Sequence, residues 1–326
     1  MRVLVAGHLC LDFIPALDDD PGHDPGALYL IGPMQVRLGG AVHTTGAALA
    51  ALGIDILLAA ASGNDSLAGV QRELLARKGL DASRMVEVEG ATSYSIVLQP
   101  PGQDRTFWHH TGCNDLFDGT ALELEGVDLV HIGYPNLLPA LGAEDGMPLR
   151  RLFEAAHARG VVTSVDLAVE PTAAPEDRAA HAARWQRFLE VTTSATDLLT
   201  PSIDDLESAV HWGLGHGREA LAEAARRLIG LGAAVVMVTG GEAGLHVATT
   251  ADAQRLAELN PLAHLDPGLA LHIDPVVPER IAGTTGAGDT ATAAFLATLL
   301  DGGSLRAAGE RAAYLASRHI AGLPVA

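Results

Sequence analysis

The sequence predicts an α/β protein, a doubly wound, mostly parallel β-sheet flanked by helices, with a second, smaller β-sheet. Three observations predict it. Short apolar runs that stop at glycine, such as Val3 to Ala6 before Gly7, have the character of strands buried on both faces. From Asp128 onward such runs alternate with longer amphipathic segments, the βα rhythm of right-handed crossovers with helices on both faces. Residues 93–110 differ in texture: Tyr94, Ile96 and Leu98 alternate with Ser95, Val97 and Gln99, and Pro100-Pro101-Gly102 follows as a turn before Arg105 to His110. That pattern is an antiparallel hairpin, which needs cover on its faces.

Composition narrows the function classes. The chain has 326 residues, 48% of them hydrophobic, enough for one large core with a small appendage. A net charge of −19 argues against a nucleic-acid partner gripped through its phosphates. Two cysteines, Cys10 and Cys113, suggest neither a disulfide framework nor a cysteine-based zinc site. The apolar start, Met1 to Gly7, is short for a signal peptide, and Asp55 interrupts the longest apolar stretch, so no membrane partner and a cytoplasmic location are expected.

Taken in order, Val3 to Ala6 is the first strand, and Asp12 lies just past its carboxyl end, where open α/β sheets bind ligands. An acidic turn, residues 18–26, precedes Leu38-Gly39-Gly40-Ala41 and a tightly packed helix from Thr44 to Leu52. Ile54 to Ala60 is the next strand, and Gly63-Asn64-Asp65 with Gly69 opens a helix. Adjacent residues on a strand point to opposite faces, so His109 and His110 do not share one metal ion.

Further strands are Leu129 to Gly133, Val161 to Asp166, Asp197 to Thr200 and Val235 to Thr239. Helices are expected at Pro148 to Arg159, Arg178 to Leu189, Ile203 to Trp212 and Glu219 to Ile229. Strand ends carry Asp166, Pro201-Ser202 and Thr239-Gly240-Gly241, the places to look for polar ligand contacts. Residues 261–278 read as a loop, and Leu305 to Ile320 as a final helix.

The stretch that organises the chemistry is Gly283-Thr284-Thr285-Gly286-Ala287-Gly288-Asp289-Thr290, ahead of the apolar helix Ala291 to Leu300. Its glycines permit a sharp turn and close ligand approach. The helix start supplies free N–H groups and the positive dipole end, a site for phosphate oxygens. A carboxylate there repels phosphate unless it has work to do, and the plausible work for Asp289 is to take a proton from the attacking group. The single lysine, Lys78, is far away in sequence, so a Walker-type loop is absent.

In residue order and type these motifs resemble the ribokinase-like (PfkB) family of carbohydrate kinases. The family's Asp-Thr-x-Gly-Ala-Gly-Asp signature aligns with Gly283 to Asp289 and its Gly-Gly motif with Gly39-Gly40. Gly63, Asp65 and Gly69 match a Gly-x-Asp-x-x-x-Gly element, and Thr239, Gly241 and Gly244 a Thr-x-Gly-x-x-Gly element. The resemblance implies a main domain of residues 1–12, 39–90 and 113–326 and an inserted β lid of residues 13–38 and 91–112. It implies an ATP-dependent phosphotransferase acting on a hydroxyl of a small sugar or sugar-like molecule, with Mg²⁺ bridging the nucleotide phosphates. Asp289 becomes the base, and the Gly286, Ala287 and Gly288 amides the anion hole. Asp12, Gly39, Gly40 and Thr44 fall at sugar contacts, and Thr239, Gly241, Gly244 and Thr285 at nucleotide contacts.

Departures from the family pattern qualify that inheritance. Gly283 replaces the signature's leading Asp, which in relatives helps hold a monovalent cation, so potassium activation is doubtful. The Asn-x-x-Glu element appears as Ser202-Ile203-Asp204-Asp205, leaving Asp205 to act on the metal through water. Thr44 stands where an Asn is usual. Arg105, like Arg37, is either a bidentate substrate contact or a lid-structural residue, and Phe107 or Trp108 either stacks on substrate or joins two lids in a homodimer. A non-catalytic sugar- or nucleoside-binding protein derived from such a kinase is the alternative reading.

Overall fold

The structure is a computed structural model that describes residues 1–325 apart from 21, 23, 103, 104 and 172, so Pro21 and His23 of the acidic turn lie outside the described residues. In chain order the strands are β1 Arg2–Gly7, β2 Cys10–Pro15, β3 Met34–Gly39, β4 Asp55–Ala59, β5 Ala61–Ser62, β6 Val86–Glu87 and β7 Tyr94–Leu98. They continue as β8 Thr106–His110, β9 Leu129–Gly133, β10 Val162–Asp166, β11 Leu198–Leu199, β12 Val235–Thr239, β13 Leu245–Thr249 and β14 Ala270–Ile273. The α-helices are α1 Ala41–Ala51, α2 Ser66–Arg77, α3 Ala143–His157, α4 Arg178–Thr192, α5 Ile203–Val210, α6 Arg218–Gly230, α7 Ala253–Glu258, α8 Ala287–Leu300 and α9 Leu305–Ile320.

The main sheet runs β14-β13-β12-β11-β10-β9-β1-β4. It is parallel from β4 to β12, and β13 and β14 join antiparallel at one edge. Strand β1 shows why the apolar runs are unbroken. Val3 and Val5 enter the core beneath α1, α8 and α9, while Leu4 and Ala6 enter the opposite core beneath α3 to α6. Each fully buried aliphatic side chain contributes about 1.5–3 kcal/mol by leaving water. Helix α8 is buried from Asp289 to Leu300, which accounts for apolar residues on every side of it.

A second sheet, ordered β3-β2-β7-β8, combines an antiparallel β2–β3 pair, a parallel β2–β7 pair and the antiparallel β7–β8 hairpin. Only His8 and Leu9 separate β1 from β2, so the chain passes from the large sheet into the small one almost at once.

Some expectations need correction. Residues 261–278 are not a plain loop, because they contain β14, and neither β13 nor α7 stood out in the sequence. An antiparallel edge strand of four residues is specified by its neighbour rather than by its own pattern. Helix α5 stops at Val210 rather than Trp212, since His211 takes a left-handed conformation (φ 48°). Helix α1 begins directly after Gly40, three residues earlier than expected. Among the described residues no helix is long and apolar enough to cross a membrane.

Candidate active site

Strand β1 pairs with β4 on one side and β9 on the other, which makes its carboxyl end the point where the sheet's winding diverges and a crevice opens. His8 follows β1 there, and Tyr134 follows β9. The N-termini of α1 and α8 frame the same crevice, the two helices packing on each other.

Asp289 sits in the first turn of α8, buried at 5% exposure. One carboxylate oxygen accepts from the Thr45 hydroxyl at 2.7 Å and the other from the Tyr134 hydroxyl at 2.8 Å. Burial raises its pKa above the usual carboxylate range, and those two hydroxyls, with His319 nearby, pull the other way. An ionised carboxylate has about four acceptor sites, so a substrate hydroxyl has room to donate as well.

Two further carboxylates lie within its field. Asp166, at the end of β10, takes its own following amide at 2.9 Å and the Thr292 hydroxyl at 3.3 Å; burial and then repulsion from Asp289 and Asp205 push its pKa well up. Asp205 forms a reciprocal cap with Ser202 at the start of α5, accepting from the Ser202 amide at 2.7 Å. Burial lifts Asp205 to about 7. The residue singled out for a metal role therefore also has a purely structural task. Tyr134 is held at φ 61°, ψ 51°, a conformation that costs a bulky residue about 1–3 kcal/mol. The cost is offset by a buried hydroxyl placed on Asp289.

The glycine loop is fixed from behind and open in front. Gly286 has φ 83° and would drive a Cβ to 2.7 Å from the Thr44 methyl. His319 of α9 holds the loop through the Thr285 carbonyl at 2.7 Å and the Thr290 hydroxyl at 3.0 Å. A Cβ on Gly288 would meet nothing within 4 Å, and its φ is ordinary, so neither backbone nor packing demands glycine there. The Ala287 amide donates to the Thr284 carbonyl at 3.2 Å, whereas first-turn N–H groups generally lack a helical acceptor.

Arg105 crosses from the small sheet to this loop, donating to the hydroxyls of Thr284 at 2.7 Å and Thr285 at 2.6 Å. Asp12, on β2, feels both Arg105 and Arg37, although burial dominates and raises its pKa. A Cβ on Gly39 would collide with the Asp12 carboxylate, and one on Gly40 would meet His8. The Thr44 hydroxyl folds back onto the Gly40 carbonyl at 3.0 Å, so it is Thr45, one residue on, that reaches Asp289. Phe107 and Trp108 are both about half exposed on β8.

Thr239 ends β12, bridging to Ser202, and Gly241 (φ 56°) and Gly244 (φ 81°) shape the turn into β13. Through that bridge they lie beside the Ser202–Asp205 cap at the start of α5. Thr45, Tyr134, His319 and His8 were not singled out from the sequence. The one signal available for two of them is position, since His8 and Tyr134 each stand directly after an expected strand end.

The sequence model described as "pfkB family carbohydrate kinase" matches residues 1–321. Solved structures with the same fold include ribokinase from Arabidopsis thaliana complexed with ribose and ATP, 18% identical with a TM-score of 0.71 over 98% of this chain and 92% of that one. A PfkB protein from Polaromonas sp. JS666 is 20% identical, with a TM-score of 0.70 over 99% and 97% of the two chains. Ribokinase from Thermotoga maritima is 17% identical, with a TM-score of 0.69 over 98% and 92%.

Proposed function

The chain belongs to the pfkB family of carbohydrate kinases, and from that premise we propose that it transfers a phosphoryl group from ATP to a hydroxyl of a small sugar or sugar-like substrate. The observation that carries the proposal is the buried Asp289 in the first turn of α8, beside a Gly288 whose missing side chain leaves open space at the helix start.

In this reading Asp289 takes the proton of the acceptor hydroxyl while the Gly286, Ala287 and Gly288 amides, at the positive end of α8, receive the charge of the moving phosphoryl group. Thr45 and Tyr134 aim the carboxylate. Asp12, Gly39 and Gly40 line the sugar end. Arg105, already on Thr284 and Thr285, adds positive charge from the lid where the phosphates gather. Thr239, Gly241, Gly244 and Thr285 form the nucleotide side.

Asp205, buried in the field of Asp289, is the residue that would act on Mg²⁺, through water rather than directly, since among the described residues the three carboxylates do not gather into one ligand cluster. When bound, Mg²⁺ neutralises phosphate charge. Residues 13–38 and 91–112 act as a lid that excludes water from residues 1–12, 39–90 and 113–326, and the exposed Phe107 and Trp108 suit a lid-to-lid homodimer.

The test is ADP formation from ATP and Mg²⁺ across free sugars, sugar acids, sugar phosphates and nucleosides, for the wild type and Asp289→Asn. One accepted substrate, with turnover falling about 10²–10⁴-fold in the variant, is the expected result. Saturable ligand binding without turnover in either protein overturns the kinase and selects the binding-protein reading.

A further inference from the structure

At the lid end of the crevice the fold gathers three groups that the phosphotransfer chemistry does not use. His8 follows β1, Cys10 opens β2 and His109 lies on β8, and one ligand atom from each lies within 4.8 Å of the others. The His8 and His109 Nε2 atoms face each other at 3.2 Å. The Ser95 hydroxyl lies 3.0 Å from His109 Nδ1 and 4.0 Å from the Cys10 sulfur. His8 Nδ1 is buried with no hydrogen-bond partner.

We propose that His8, Cys10 and His109 form a site for a borderline or soft divalent transition metal, Zn²⁺ or Co²⁺, that ties the lid to the main sheet. Two imidazoles at tetrahedral positions around Zn²⁺ stand about 3.3 Å apart at the usual Zn–N lengths, close to the separation present. Two nitrogens facing each other share one proton at most; the metal takes its place, and the Cys10 thiol proton leaves to solvent as the thiolate binds. Ser95 fixes His109 so that Nε2 points at the metal, the outer-shell role that orients histidine ligands. Three protein ligands leave a fourth position for water, with the Asp12 carboxylate 3.5 Å from the Cys10 sulfur. His109 is exposed, which gives the ion an entry path. His110 lies on the opposite face of β8, beside Tyr94, and takes no part. A thiolate-imidazole set selects against Mg²⁺. On the sugar-kinase reading, metal here obstructs the Asp12 end of the pocket and inhibits in competition with the acceptor; that consequence rests on the reading, whereas binding itself does not.

The experiment is Co²⁺ titration of the full chain without nucleotide, followed by absorption spectroscopy and displacement by Zn²⁺. The expected result is one tetrahedral Co²⁺ with a thiolate-to-metal charge-transfer band, lost in Cys10→Ser and in His109→Gln and unchanged in His110→Gln, with affinity weakened about 10–100-fold in Ser95→Ala. No band in the wild type, or a band that survives Cys10→Ser, overturns the site. Should Cys10→Ser fail to fold, X-ray absorption of the wild-type Co²⁺ complex decides: two nitrogens and one sulfur support the site, and an all-oxygen shell overturns it. A failed kinase assay leaves these readings untouched.

Discussion

The two ends of one crevice are built from different donors. At the α8 end, Asp289, Asp166 and Asp205 are hard oxygen groups whose burial raises their proton affinity, with repulsion from neighbouring carboxylates adding to it for Asp166 and Asp205. At the lid end His8, Cys10 and His109 are nitrogen and sulfur donors. The carboxylates, His8 and Cys10 are buried while His109 is exposed, and burial acts oppositely on the two kinds of group, driving carboxylates toward protonation and imidazoles toward neutrality. On the proposed readings the difference is one of donor chemistry: oxygen groups at one end suit a hard cation and phosphate, and nitrogen and sulfur groups at the other suit a softer ion.

The strongest way to break this comparison is Asp289→Asn, which should cut turnover by about 10²–10⁴-fold while leaving Co²⁺ binding at the lid end unaltered. If both disappear together, the ends are one site and the contrast fails. Equilibrium Co²⁺ titration of that variant alongside the ADP assay checks it.

Next in size is Gly288→Ala. A Cβ there touches no protein atom, so thermal stability should hold or rise by up to about 1 kcal/mol. Turnover should fall about 100-fold through displaced phosphate geometry. Unfolding curves and kcat/KM on one preparation test both, and full activity would remove the glycine loop's claim to ligand contact.

Tyr134→Phe should lower kcat roughly tenfold by removing a hydroxyl from Asp289. It should also move the acid limb of the pH–rate profile upward, because that hydroxyl lowers the Asp289 pKa. A limb that stays in place would mean that Asp289 is not the titrating base.

The smallest effect concerns Asp205. Its folded pKa of about 7 exceeds its unfolded value of about 3.9. Its neutral form therefore contributes stability that is complete below about pH 4 and is lost as pH rises through about 7. Metal-free protein carrying Asp205→Asn should lose about 2 °C less in Tm than the wild type between pH 6 and pH 8. Mg²⁺ should narrow the gap by restoring the wild type. Equal losses in both proteins would show that Asp205 is not what titrates.

The sequence by itself determined the strands buried on both faces, the βα order and the glycine loop before an apolar helix, because these are local patterns of periodicity and backbone freedom. It also marked Asp289, a carboxylate in the first turn of that helix, where an acidic residue stands out. It did not mark Thr45, Tyr134 or His319, which reach that loop from α1, the end of β9 and α9. A lone Thr, Tyr or His carries no local signal. The strand β14 escaped for the same reason, since its pairing partner β13 defines it. Cys10 and His109 are 99 positions apart, and alternation along β8 showed only that His109 and His110 diverge. Which of the two meets Cys10 and His8 was decided by the register of β7 on β8 and of β2 on β7, and register is a property of the assembled sheet.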